Sequence, residues 1–188
     1  MKLLKYFFIF FLISCTKKYT TVEEYSNYPV KYAKTQISYP NKDFSITIPK
    51  NWEWKIEDYH NKNILLAIDI GKTDSITKYT RIMSIVKYKS FENNTDLELE
   101  YKSLLKNNGK TIEYPKAIES GKTKLLKYDS YFIHTKSENE NSLESIFFIV
   151  KSKEKGVFYQ LYAGCQIKDD LKTNMSMMIK CLESFEHN

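Results

Sequence analysis

The side chains best able to do chemistry in this chain are three histidines, two Gly-Lys-Thr triplets, a pair of aspartates, a tryptophan pair and three cysteines. His60, His134 and His187 stand far apart, with no His-x-x-x-His or His-Glu-x-x-His spacing to set two imidazoles on one helix face around zinc. Gly71-Lys72-Thr73 and Gly121-Lys122-Thr123 match the end of a phosphate-binding loop. The earlier glycine of that loop is replaced by Leu66 and Lys116, so both triplets read as turns. Asp69 and Asp74 lack the further oxygen ligands of a calcium loop, and no Gly-x-Ser-x-Gly elbow presents a nucleophile. The sequence therefore predicts no catalytic residue, no metal site and no cofactor. A hydrolase would need His60 or His134 brought beside a carboxylate and a serine by the fold.

Trp52 and Trp54, followed by Tyr59 and His60, form the candidate ligand-binding surface. Alternate positions on a strand send both indoles to one face, where they can hold an apolar or sugar ligand. The competing use of the same aromatics is to cover the sheet edge or core. Cys165 and Cys181 are a possible disulfide in an exported chain, but geometry disfavours it. If the last helix starts near Asp169, Cys181 lies about 18 Å along its axis, whereas bridged α-carbons lie within about 7 Å.

The third cysteine has a different setting. Lys2 and Lys5 precede an apolar run from Tyr6 to Ile13, and small Ser14 stands immediately before Cys15. This is the grammar of an export signal, and the run is far shorter than the roughly 20 apolar residues of a spanning helix. Leu12-Ile13-Ser14-Cys15 resembles the bacterial lipobox. The resemblance implies cleavage after Ser14 and lipidation of Cys15, palmitate among the acyl chains. Several such chains give stable anchoring where one gives marginal anchoring. Thr16 in place of aspartate implies, by the sorting rule of many Gram-negative lipoproteins, the outer membrane.

Removing residues 1–14 takes away Lys2 and Lys5, so the formal charge falls from +6 to +4. The remaining lysines alternate with glutamates, there is one arginine, and the only basic run is Lys17-Lys18. That mixing reads as a solvated surface, and no nucleic-acid partner is expected. The expected partners are the membrane, through the anchor, and a protein of the envelope.

Residues 15–40 carry Pro29 and Pro40 among scattered polar residues and read as the lipidated cysteine and a tether, with a reach of roughly 25–30 Å. Tyr19, Tyr25, Tyr28, Tyr32 and Tyr39 leave open whether part of it packs on the domain or at the lipid interface. The domain is expected over 41–188. Phe44, Ile46 and Ile48 alternate with Ser45 and Thr47 as a half-buried strand. Further strands are predicted over 64–70, 81–89, 117–126, 127–135, 143–151 and 157–163, with a hairpin at Lys153-Glu154-Lys155-Gly156. Asn94, Thr95 or Asp96 can cap a helix whose Leu97, Tyr101, Leu104 and Leu105 share a face, ended by Gly109. Leu171, Met175, Met178, Leu182 and Phe185 make the core stripe of a last helix, and Met177 points away from it. The pattern predicts an α+β domain, a central, largely antiparallel sheet of about six to seven strands flanked by helices.

Tyr39-Pro40-Asn41-Lys42-Asp43-Phe44-Ser45-Ile46-Thr47-Ile48-Pro49-Lys50-Asn51-Trp52 is similar to the opening strand and Pro-x-x-Trp turn of the PsbP-like superfamily. The closing Met178-Ile179-Lys180-Cys181-Leu182-Glu183-Ser184-Phe185 is similar to its terminal Ser-Phe helix. The resemblance spans 39–185 and implies an α/β/α sandwich whose members mostly bind or scaffold; it transfers no catalytic residue. Taken together, the sequence predicts a non-enzymatic lipoprotein of the cell envelope, facing periplasm or exterior, that binds a partner. Its alternative is a small-ligand or envelope-stress lipoprotein using the aromatic face, and a hydrolase ranks last.

Overall fold

The computed structural model describes residues 19–39, 41–73, 80–107, 115–137, 143–167 and 170–188. Its elements in chain order are α1 (Val22–Asn27), β1 (Lys34–Ser38), β2 (Phe44–Pro49), β3 (Glu53–Ile56), β4 (Ile64–Thr73), β5 (Thr80–Lys89), α2 (Leu97–Asn107), β6 (Ala117–Thr123), β7 (Ser130–Lys136), β8 (Leu143–Lys151), β9 (Val157–Gln166), α3 (Leu171–Glu183) and β10 (Glu186–His187). A seven-stranded sheet runs β3-β4-β5-β9-β8-β7-β6, every neighbouring pair antiparallel, and a three-stranded sheet runs β1-β2-β10.

The period-two pattern decides which way each strand faces. Phe44, Ile46 and Ile48 of β2 are buried while Ser45 and Thr47 stay partly open. In the large sheet, Ile68, Ile70, Met83, Ile85, Leu161, Ala163, Ile146 and Phe148 send their side chains to one side. There they meet Val22 and Tyr25 of α1, the β2 face, and Met175, Met178, Ile179 and Leu182 of α3. Each such side chain removed from water contributes about 1.5–3 kcal/mol. Met177 packs only partly buried at the margin of this core. On the other side of the sheet a smaller cluster forms where Tyr101 of α2 lies over Ile133 and Ile149. Its ring stacks on Tyr131 at 4.5 Å between centroids.

Asp96 caps α2, its Oδ1 accepting from the amides of Glu98 and Leu99 at 2.9 and 3.1 Å. Buried Glu100 then fixes the helix to the loop before it, accepting from Ser90 Oγ at 2.6 Å and Asn94 Nδ2 at 2.9 Å. The β8–β9 hairpin turns at Gly156, whose φ of 73° is the left-handed conformation that favours glycine.

The stretch expected as a tether over 15–40 is folded from Thr21 onward, which corrects the domain start at 41. Thr21 and Glu24 form a reciprocal capping box for α1, and β1 pairs with β2 from Lys34↔Pro49 to Ser38↔Ser45. A helix of six residues is too short to show a periodic stripe, and tertiary contacts stabilise it. Cys15 lies outside the described residues.

Candidate functional site

The large sheet has two faces to cover, and among the described residues only one is closed along its length. On the second face α2 covers the β7 and β8 side, and beside it β5, β9 and β8 floor an open groove of about 730 Å³. Ser84, Val86, Gln160, Tyr162, Ser145 and Phe147 make the floor, and Tyr59, Asp69 and Phe91 stand at the rim. The surface is aromatic and aliphatic with hydroxyl groups set into it, the composition of a site for a small, largely apolar ligand.

Its polar groups are placed by the fold. Tyr162 and Ser145 share a hydrogen bond of 3.0 Å between hydroxyls, and the Phe147 and Tyr162 rings lie 5.0 Å apart. Gly164 permits this pose, because a β-carbon there would overlap the Tyr162 ring and hydroxyl. The Tyr59 hydroxyl donates to Asp69 Oδ1 at 3.3 Å. Burial, then the charge of Asp69, pushes that phenol up to about 12, and burial raises the Asp69 carboxyl above its ordinary value. Burial also raises Tyr162. These phenols keep their protons at neutral pH; the Tyr59 proton is given to Asp69, and whichever of the Tyr162 and Ser145 hydroxyls accepts in their shared bond can donate to a bound acceptor.

The predicted aromatic face is not one surface. Trp52 is only 6 % exposed and belongs to the core, whereas Trp54 is 40 % exposed. The reason is where the strand begins: β3 starts at Glu53, and Trp52 sits in the turn before it, its amide bonded to the Pro49 carbonyl at 3.0 Å. Trp54 then lies opposite Ile70 on the sheet's edge strand. Tyr59 joins the groove, and His60 points into solvent from a turn with φ 50°, beside Asp58 at 3.1 Å. The four residues therefore divide among core, edge, groove rim and solvent. The groove itself draws on β4, β5, β8 and β9.

The remaining candidates are scattered too. The two Gly-Lys-Thr triplets close strands β4 and β6 and do not open helices. Asp74 lies outside the described residues. Among the described residues no three His, Cys, Asp or Glu side chains gather as a metal set. No described helix is long and apolar enough to cross a membrane.

His134 is fully buried. Its Nε2 lies 2.8 Å from Glu144 Oε1 and its Nδ1 lies 3.4 Å from Glu119 Oε2. Tyr25 donates to the same Glu144 oxygen at 2.6 Å, and the Val22 amide donates to Glu119 at 3.0 Å. Four distant parts of the chain are thus clamped together, with the Tyr19 ring 5.9 Å from the imidazole. A histidine enclosed in this way holds α1 to the sheet.

Cys165 and Cys181 are both buried and unbridged, on β9 and α3. Burial pushes the Cys181 thiol up to about 11, outweighing the Tyr32 hydroxyl 3.4 Å from its sulfur. At pH 8 the thiolate is then about one part in a thousand. Maleimide applied to a Cys15→Ala form under native conditions is expected to leave both thiols unlabelled and to label both after unfolding. Native labelling of Cys181, or a missing thiol after unfolding, would contradict this.

Comparison of the sequence with known protein families and with characterised proteins finds no match. Comparison of the fold does. The solution structure of cyanobacterial PsbP (CyanoP) from Synechocystis superposes with a TM-score of 0.56 at 11% identity, covering 85% of this chain and 95% of that one. A crystal structure from Bacteroides thetaiotaomicron gives 0.52 at 14% identity over 81% of this chain; the match spans about half, 48%, of that longer protein. LpqN, described as involved in cell envelope biogenesis of Mycobacterium tuberculosis, gives 0.49 at 12% identity over 87% and 94%. The chain has the PsbP-like α+β fold.

Proposed function

We propose that this protein is a lipid-anchored, non-catalytic binding module of the bacterial cell envelope, held at the outer membrane by Cys15. The groove on the second face of the sheet receives its ligand. The observation that carries the reading is that groove of about 730 Å³, lined by aromatic and hydroxyl-bearing side chains and left uncovered beside α2 by the described residues. The N-terminal Leu12-Ile13-Ser14-Cys15 supports the anchor. The fold adds a consequence for distance. Tyr19 already packs against His134, so only four residue steps separate it from Cys15, at most about 14 Å of extended chain. A domain on so short a link stands close against the bilayer, not at the 25–30 Å of a long tether.

The test has two arms. Cys15→Ala is expected to lose palmitate incorporation and to move from the membrane fraction to the soluble fraction. Val86→Trp fills the groove floor and is expected to remove a small-molecule mass that copurifies with the native protein in native mass spectrometry, with little change in thermal stability. A membrane-bound Cys15→Ala form sinks the anchor. A copurifying mass that persists in Val86→Trp sinks the groove.

A protein partner is the second reading, and β3 favours it. All four residues of this edge strand are exposed, Trp54 and Ile56 by 40 % and 51 %. An open, apolar edge can accept a partner strand. Crosslinking in native cells, run beside the Cys15→Ala form, distinguishes the two: a partner captured through β3 by the anchored form alone marks an assembly module.

A further inference from the structure

We infer that β3 pairs with the β3 of a second copy of this chain, joining two seven-stranded sheets edge to edge across a two-fold axis. The inference rests on the edge-strand reading of β3 and names its partner. Of the six large hydrophobic side chains that the described residues expose, four, Trp54, Ile56, Tyr59 and Leu65, belong to β3, the segment after it and the start of β4. Among the described residues no strand pairs with the outer side of β3. The opposite edge is guarded. There β6 carries a bulge between Ala117 and Glu119 and a lysine, Lys122, and its Glu119 accepts the Val22 amide of α1. The pairing of β3 has no bulge.

The backbone decides which registers are open to a second copy. β3 and β4 pair from Glu53↔Gly71 to Ile56↔Ile68, and the Glu57 amide continues the register by donating to the Ala67 carbonyl at 3.0 Å. Hydrogen-bonded pairs alternate along an antiparallel ladder, so Glu53, Lys55 and Glu57 bond inward to β4. The amides and carbonyls of Trp54 and Ile56 turn outward, and a second β3 must meet them with its own Trp54 or Ile56. Trp54 opposite Ile56 sets Lys55 against Lys55 and Glu53 against Glu57, like charges throughout. Ile56 opposite Ile56 sets Lys55 against Glu57, the acid it already pairs with in its own chain. Trp54 opposite Trp54 sets Glu53 against Lys55 twice and brings two indoles together. That register gives Glu53 the counter-ion it lacks among the described residues.

The anchor agrees with this geometry. Opposed residues of an antiparallel pair point to the same side, so the two copies turn the same sheet face the same way. Tyr19 lies with α1 on one face, its ring and that of Tyr25 against His134, and both chains then leave toward one bilayer. Confinement there raises the effective concentration for a contact only a few residues long.

Cysteine substitution reads the register directly. Glu53→Cys, Trp54→Cys, Lys55→Cys and Ile56→Cys are made singly in the full chain and oxidised in membranes with copper phenanthroline. A disulfide-linked dimer is expected most strongly at Trp54→Cys, the position that faces itself at about 5.5 Å between α-carbons. The native chain, whose Cys165 and Cys181 are buried, is expected to give none. Adding Glu53→Lys to Trp54→Cys is expected to lower the crosslinked fraction about fivefold, and Glu53→Lys/Lys55→Glu to restore it. All four positions are exposed, so circular dichroism of each variant is expected to match the native protein. A dimer strongest at Lys55→Cys or Ile56→Cys, indifferent to Glu53→Lys or not recovered by the charge swap overturns the pairing. No disulfide dimer, with another protein still captured through β3 by crosslinking in native cells, overturns the second copy and leaves the edge reading standing. No dimer and no capture overturns both.

Discussion

Glu144→Ala is expected to cost about 3–5 kcal/mol of folding stability, because it removes one partner of a buried polar pair and leaves the other uncompensated. For a domain of this size that is a fall in Tm of roughly 6–20 °C. The carboxylate is 2 % exposed and accepts from two groups at once, Tyr25 Oη at 2.6 Å and His134 Nε2 at 2.8 Å. Truncation strands both. His134 faces a carboxylate from each ring nitrogen, Glu144 from β8 and Glu119 from β6. Since α1 is held to the sheet by this set and by the Val22 amide on Glu119, the same variant should expose α1 to protease before the rest of the domain unfolds. His134→Ala/Glu144→Ala should lose less than the sum of the two single losses, because the partners share one interaction. Urea unfolding with limited proteolysis checks this; a Tm within 3 °C of the native protein, or unchanged cleavage of α1, refutes the clamp.

Elements whose own residues carry the pattern were legible in the sequence. β8 spans the predicted 143–151, and β2 shows the alternation of Phe44, Ile46 and Ile48. α3 buries Met175, Met178 and Leu182 as its stripe requires. What failed to show depends on partners far along the chain. α1 owes its place to Glu119 and Glu144, about a hundred residues away, and β3 is exposed at all four positions, so neither offers a period. One residue of register at the start of β3 decided the fate of the tryptophan pair. The groove exists because α2 lies over β7 and β8 and stops short of β5, a matter of packing that no single segment encodes.

Phe185→Ala is expected to cost about 3–5 kcal/mol, and Phe185→Leu less than about half of that, because the leucine keeps most of the buried volume. The Ser-Phe ending that resembles the PsbP-like pattern has a physical task here. Ser184 Oγ accepts from the Thr47 amide at 2.8 Å and donates to the Cys181 carbonyl at 2.6 Å, so the last turn of α3 is tied to β2. Phe185, 1 % exposed, then enters a nest of rings: Tyr159 at 5.2 Å, Phe44 at 5.7 Å, His187 at 5.8 Å and Tyr128 at 6.3 Å. Those rings come from β9, β2, β10 and the β6–β7 connection, and truncating one side chain opens a cavity that none of them can close alone. The nest also carries a pH dependence. Burial holds His187 below the ordinary histidine value of 6.5, so the folded state favours its neutral form. Its contribution is complete above 6.5 and is lost as pH falls from there toward the lowered value, since the unfolded chain then binds the proton more readily. His187→Phe should remove that slope on the acid side while keeping the ring against Tyr128 and Tyr159. Denaturant unfolding of the native protein and the two Phe185 variants, and of His187→Phe between pH 5 and 7.5, separates the two effects. Equal losses for alanine and leucine would mean the ring edges, not the volume, hold the C-terminus, and an unchanged acid slope in His187→Phe would assign that slope to another group.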